Sequence, residues 1–171
     1  MSTSPLVSVV IPVFNAGSYL QLAIDSVLAQ THPEVELVLV DGGSNDGSRE
    51  FVQSFEHPRV VKDYLPAGTP AATTWTRASE LANGDYIKLL CQDDVIFPTA
   101  LAEQVADLEA NPTAGLAIAQ RDMIDATGAI VTRARGCQGL PTGLVDGVRA
   151  LQIGARQGAN IFGEPLAVLF R

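Results

Sequence analysis

Leu37-Val38-Leu39-Val40-Asp41-Gly42-Gly43-Ser44-Asn45-Asp46-Gly47-Ser48 and, further along, Tyr86-Ile87-Lys88-Leu89-Leu90-Cys91-Gln92-Asp93-Asp94 share one plan, an apolar run that ends in acid. Near-continuous apolar runs of this length mark strands covered on both faces, as in a parallel sheet. In an open α/β sheet, ligands bind outside the carboxyl ends of the strands. The two acidic tips therefore predict one site. Carboxylates there suit a cation, a ribose hydroxyl or a base edge, and suit an anion only through an intervening metal.

Working outward, Val7–Val13 (VSVVIPV) is a third buried strand, with Pro12 suited to its end and not its middle. Asn15-Ala16-Gly17-Ser18 is a turn, and Gly17 or Ser18 starts a helix with Leu20, Ala23, Ile24, Val27 and Leu28 on one face. After the strand at 35–41, a short helix runs from about Asp46 to Phe55, and residues 59–64 form a weaker strand. Ala67-Gly68-Thr69-Pro70 is a loop, and 71–82 a small-residue helix closed by Asn83-Gly84, with Gly84 as its left-handed cap. Residues 85–91 are a strand, and Pro98 begins a helix that reaches about Ala110. This alternation predicts a mainly parallel sheet with helices on both faces. Residues 115–133 break the pattern with two strand-like runs around Asp125-Ala126-Thr127-Gly128, a hairpin signal. A Gly-rich loop at 134–143, a helix from an Asp146 cap to about Ala155 and a strand-like run at 161–170 follow. One domain over 1–171 is expected.

A chain that is 47% hydrophobic and 18% charged is globular and not disordered. Its net charge of −8 argues against nonspecific nucleic-acid binding, which needs a basic face. Cys91 and Cys137 fit no metal or redox spacing; Cys91 reads as a small buried hydrophobe, and the setting as reducing and cytoplasmic. No apolar stretch reaches the length of a membrane span, and the first residues carry no signal-peptide pattern. Peripheral association with the inner face of a membrane stays compatible with this. His32 and His57 lie beside prolines and read as surface residues.

Four pieces in order carry a family resemblance: VSVVIPVFN, SVLAQTHPEVELVLVDGGSNDGS, the Thr74-Trp75-Thr76-Arg77 helix and ANGDYIKLLCQDD. Together the chain resembles the family-2 glycosyltransferases, and the match covers nearly its whole length. The resemblance implies a GT-A, Rossmann-like fold, a nucleotide-diphosphate sugar donor, a divalent cation (Mn²⁺ or Mg²⁺), and a saccharide or lipid-linked acceptor in polysaccharide or glycoconjugate synthesis. A dinucleotide-binding reading fails, because Gly42-Gly43-Ser44-Asn45-Asp46-Gly47 is not GxGxxG.

Carried over residue by residue, the resemblance implies donor contacts at Pro12, Phe14, Asn15, Asp41, Trp75 and Asp93, with Asp93 and Asp94 as metal ligands. Several positions have a second reading. Phe14 is a base-flanking ring or a core residue. Asp41 is a ligand contact or the anchor of an Asx turn, and Asp46 is a helix cap. Trp75 is a wall of the donor site or a core tryptophan. Arg77 approaches the diphosphate or stays solvated. Asp93-Asp94 holds metal and donor or caps the next helix. Glu164, in Gly163-Glu164-Pro165, lies on the acceptor side or in a structural turn. The sequence also departs from the family pattern: Gly42 stands where a second acid is usual, Cys91 stands at the first acidic position of the D-x-D-D-like site, and Thr76 replaces an asparagine.

The inverting reaction implied by the resemblance needs a general base for the acceptor hydroxyl. In relatives it follows the strand equivalent to 161–170, so it is expected beyond Arg171, and the 171 residues are expected to be the donor-binding portion of a longer transferase. The three departures support a second class, a transferase-like module that binds nucleotide without turnover. A nucleotidyltransferase ranks last, since Asn15-Ala16-Gly17-Ser18-Tyr19 lacks basic residues after the first strand.

Overall fold

The computed structural model describes residues 4–171. Its order is β1 (Val7–Val13), α1 (Tyr19–Leu28), β2 (Val35–Asp41), α2 (Ser48–Ser54), β3 (Val60–Tyr64), α3 (Ala71–Glu80), β4 (Tyr86–Leu89), α4 (Ala100–Ala110), β5 (Leu116–Ile118), β6 (Arg121–Ile124), β7 (Ile130–Arg135), α5 (Gly147–Gln157), a 3₁₀ turn (Pro165–Ala167) and β8 (Val168–Phe170). The central sheet runs β3-β2-β1-β4-β8-β5. β1 to β4 are mutually parallel, and β8 is antiparallel to both β4 and β5. The α/β fold with a mainly parallel sheet and a separate hairpin is therefore as the sequence predicts.

Strand period sorts the core. Val7, Val9, Ile11, Leu37 and Leu39 pack with Leu20, Ala23, Ile24 and Val27 of α1, Val52 of α2 and Leu101, Val105 and Leu108 of α4. Val10, Val38 and Val40 point the other way, onto Ala78 of α3. Each fully buried aliphatic side chain contributes about 1.5–3 kcal/mol of burial. The two faces together fix the sheet between its helices.

Pro12 sits inside β1, opposite Val40 of β2. It causes no ladder defect, for a reason visible in the pairing. Val7 N donates to Glu34 O on the β2 side, and Val10 O accepts from Leu90 N on the β4 side. Even-numbered peptide groups of β1 therefore face β4. The β1–β4 pairing ends at Val10–Leu89, so the missing N–H of Pro12 has no partner strand to fail.

Several expectations need correction. Leu28 is exposed, because the buried stripe of α1 closes with Val27. Helix α3 ends at Glu80, and Gly84 is no left-handed cap. A Cβ at residue 84 would lie 2.6 Å from Ser8 N, so glycine is needed there for close backbone approach. The hairpin is Arg121–Arg135, whereas 116–118 joins the central sheet against β8. Only Val168–Phe170 of the 161–170 run is strand, since Pro165 starts a 3₁₀ turn. His32 is buried, its Nε2 2.8 Å from Pro5 O. The Asp146 cap stands: its carboxylate accepts from Arg149 N at 2.9 Å. Among the described residues no helix is long and apolar enough to cross a membrane.

Candidate functional site

The sheet order places β1 at the topological switch. The chain runs from β1 to β2 and β3 on one side, then crosses to β4 on the other. A crevice opens outside the carboxyl ends of such strands. Here it is a cavity of about 370 Å³, within the range of small-molecule sites. Pro12, Val13 and Phe14 supply the β1 wall, Gly42 the β2 tip, Thr69, Ala71, Thr74 and Trp75 the α3 wall, and Cys91, Gln92 and Asp93 the β4 tip.

Two loops are stitched together beside this cavity. Asn15 adopts a left-handed φ of 51°, which asparagine tolerates better than most residues. Its N–H donates to Ser44 Oγ at 3.0 Å, and its Oδ1 accepts from Asn45 N at 2.9 Å. Ala16 N donates to Ser48 Oγ at 3.0 Å. Asp46 accepts from Gly17 N and from Ser48 N, each at 3.0 Å. Bonds from the Ser48 side chain and amide hold the Asp46 carboxyl below its usual range. Asp46 therefore clamps two loops. It is not the N-cap of α2, a position that Gly47 holds.

Asp41 is fully buried and turned away from the cavity. Its Oδ2 accepts from Gly43 N at 3.0 Å and its Oδ1 from Ser44 N at 3.2 Å. Arg49 Nε lies 2.9 Å from Oδ2 in ion-pair contact, off the line of a hydrogen bond. Strand period explains the direction: odd positions of β2 face α1 and α2, and even positions, Gly42 among them, face α3. In this geometry Asp41 bonds the amides of its own loop and does not line the cavity.

Phe14 is 55% exposed and lines the cavity, so it is not a core residue. Gln92, which sequence reasoning overlooked, fixes it: Oε1 accepts from Phe14 N at 2.6 Å and Nε2 donates to Phe14 O at 2.9 Å. Trp75 is partly buried and walls the cavity. Thr74 beside it is buried and also lines the cavity. Position between Cys91 and Asp93 was the only signal for Gln92, and Thr74 was marked only as the first residue of the Thr74–Arg77 segment, with no role of its own.

At the β4 tip, one ligand atom each from Cys91, Asp93 and Asp94 lie within 4.8 Å of one another. Asp93 is exposed, whereas Cys91 and Asp94 are half-buried. Cys91 lies past the end of β4 and is no core residue. Burial, and then the Asp94 and Asp93 charges, push its thiol up to about 12, so it stays protonated at neutral pH. Burial and the neighbouring Asp93 push the Asp94 carboxyl up, and the Cys91 thiol, by hydrogen bonding, and then the Arg121 charge oppose them. Two adjacent carboxylates at one strand tip form a hard oxygen donor pair.

Two other candidates are not on the cavity lining. Arg77 Nε lies 2.6 Å from Asp63 Oδ2 and its Nη1 3.7 Å from Glu80, so it is held at the α3–β3 side. Glu164 forms an ion pair with Arg121.

Residues 8–153 match the family model described as Glycosyl transferase family 2. The chain is 40% identical over 92 residues to the putative teichuronic acid biosynthesis glycosyltransferase TuaG of Bacillus subtilis, covering 53% of this chain and 36% of that one. It is 33% identical over 119 residues to the glycosyltransferase GlyG of Streptococcus pneumoniae, covering 66% and 39%. Among solved structures, S. aureus TarS 1–349 in complex with UDP superposes with TM-score 0.61 at 20% identity, over 72% of this chain and 38% of that one. The mannosyltransferase PcManGT from Pyrobaculum calidifontis, in complex with GDP-Man and Mn²⁺, gives 0.56 at 26% identity, over 70% and 37%. This chain spans 36% and 39% of the lengths of TuaG and GlyG.

Proposed function

The chain belongs to glycosyl transferase family 2 and has the GT-A fold, and from that premise we propose that it is the donor-binding domain of a transferase. The donor is a nucleotide-diphosphate sugar, and the reaction is inverting transfer to an acceptor hydroxyl in polysaccharide or glycoconjugate synthesis. The observation that carries this reading is the cavity at the switch point, with Asp93 on its lining and Asp94 beside it. The cavity supplies an apolar, partly aromatic slot for a base from Pro12, Phe14 and Trp75. Asn15 and Asp41 support the slot by holding its loops, not by lining it.

Asp93 and Asp94 fit a hard divalent cation, Mn²⁺ or Mg²⁺. The protonated Cys91 thiol does not, so the donor set in this chain is two carboxylates with phosphate or water completing it. Such an ion supplies charge neutralisation for a departing nucleoside diphosphate. The mannosyltransferase neighbour, with GDP-Man and Mn²⁺ in its structure, supports the same donor chemistry. Gln92 sets the β1 turn against the β4 tip, so the slot and the acid pair keep one geometry. We assign the acceptor and the general base to no residue of this chain. The acceptor is saccharide or lipid-linked, and work at the inner face of a membrane belongs to the same proposal.

The test is calorimetric titration of UDP and GDP into the chain with Mn²⁺, then with EDTA. Metal-dependent binding that disappears in Asp93→Ala and Asp94→Ala is the expected result. Nucleotide binding indifferent to both EDTA and these variants would favour a non-catalytic module with a transferase-like fold. No binding of either nucleotide would overturn the reading.

A further inference from the structure

Gly42 and Thr74 occupy one space. A Cβ at position 42 would lie 2.8 Å from Thr74 Oγ1 and 3.4 Å from its Cγ2. A side chain at 42 and the threonine in its present position are therefore mutually exclusive. Glycine at 42 lets the hydroxyl of Thr74 stand beside it on the cavity lining, on a residue that is only 3% exposed.

The other polar side chains of the α3 wall and the β4 tip are mostly engaged. The Thr69 hydroxyl donates to Pro66 O at 2.7 Å. The Gln92 carboxamide is bound at both ends to the Phe14 backbone. Among the described residues the Thr74 hydroxyl makes no hydrogen bond, although the neighbouring Thr76 hydroxyl donates to Ala72 O at 2.9 Å, as helical threonines commonly do. An uncommitted hydroxyl on a largely buried residue, open to the wall of an apolar slot, is a group that meets a ligand.

We propose that the Thr74 hydroxyl, admitted by Gly42, reads the hydrogen-bonding edge of the donor's base, and that it makes this a base-tolerant pocket. The inference rests on the nucleotide-sugar reading above. A carboxylate at position 42 would accept hydrogen bonds only, and so would select a base edge that presents an N–H. A hydroxyl donates or accepts by rotation. It meets the N3–H of uracil and the N3 lone pair of cytosine with its oxygen in one place, because only the O–H hydrogen has to rotate.

The experiment compares UDP, CDP and GDP by calorimetry with Mn²⁺ in the wild type and in Thr74→Val, Thr74→Ser, Gly42→Ala and the double variant Gly42→Asp/Thr74→Ala. In the wild type, UDP and CDP are expected to bind within about threefold of each other. Thr74→Val should weaken both by about five- to tenfold, the size of one neutral hydrogen bond, and Thr74→Ser should restore them. The double variant, which replaces the hydroxyl by a carboxylate, should shift preference toward UDP by about tenfold. Should Thr74→Val fail to fold, Gly42→Ala decides: its methyl displaces the hydroxyl without removing it, and affinity should still fall. A folded Thr74→Val that binds both nucleotides as the wild type does would overturn the inference and leave the nucleotide-sugar reading intact. Failure of the wild type to bind any of the three nucleotides would overturn that reading, and this inference with it.

Discussion

Lys88 Nζ donates to Gln104 Oε1 at 2.6 Å, and both side chains are buried between β4 and α4. Gln104 Nε2 in turn donates to Ala117 O at 3.2 Å and Ala167 O at 2.9 Å, tying α4 to β5 and to the turn before β8. The lysine is only 1% exposed, and burial lowers its ammonium from the ordinary 10.5 to about 7. The unfolded chain thus holds this proton between about pH 7 and 10.5 while the folded chain does not. Stability should rise with pH through that window, by at most about 1.4 kcal/mol per pH unit from this group. Cys91 acts oppositely above pH 9, since the folded thiol keeps its proton up to about 12 while the unfolded one loses it near 9. Urea midpoints from pH 6 to 10 should climb to about pH 9, and Lys88→Met should flatten the climb. A wild-type profile already flat from pH 7 to 9 would contradict the assignment.

Asp41 holds two loop amides and the Arg49 guanidinium from a fully buried position. Asp41→Ala strips all three of their partner and should destabilise the chain by about 3 kcal/mol. Asp41→Asn keeps an oxygen for the amides and should lose distinctly less. Equal losses in chemical denaturation would mean that the charge facing Arg49, and not the loop amides, carries the effect.

Gln92 bonds both backbone groups of Phe14. Replacement by alanine should loosen the β1 turn and weaken UDP or GDP binding by about tenfold, with less than about 1 kcal/mol of stability lost. Gln92→Glu retains an acceptor for Phe14 N but loses the donor to Phe14 O and adds charge beside Asp93. It should therefore bind nucleotide no better than Gln92→Ala, which paired titrations would establish.

Cys91 brings a thiol to within 4.8 Å of the Asp93 and Asp94 oxygens. Cys91→Asp would convert a two-carboxylate pair into three hard oxygen donors and should tighten Mn²⁺ binding by about tenfold. Cys91→Ser, neutral and similar in size, should change Mn²⁺ affinity little. Both are readable by Mn²⁺ titration without nucleotide.

The β-α alternation was legible because each buried strand is a short, β-branched run bounded by Gly, Pro or acid, and each helix repeats its apolar positions with period 3.6. The first four strands and four helices follow that code. The later region was read less well. The 116–118 segment and Val168–Phe170 are only three residues each, too short to carry a period, and their pairing is long-range. The acid pair was visible as a strand tip. Gln92 was not, because a glutamine has no intrinsic signal and gains its role only from Phe14, far from it in sequence.

By itself the sequence determined the parallel sheet, the acidic tips and the family, since these depend on local period, strand-end position and motif spacing. Only the tertiary structure decided which tip residues face a ligand. A period of two sends Asp41 under α2 and Gly42 toward Thr74, and the packing of α3 on that face makes Trp75 and Thr74 cavity walls. That choice of face depends on which helix covers which side of the sheet, a relation between segments far apart in the chain that no local pattern encodes.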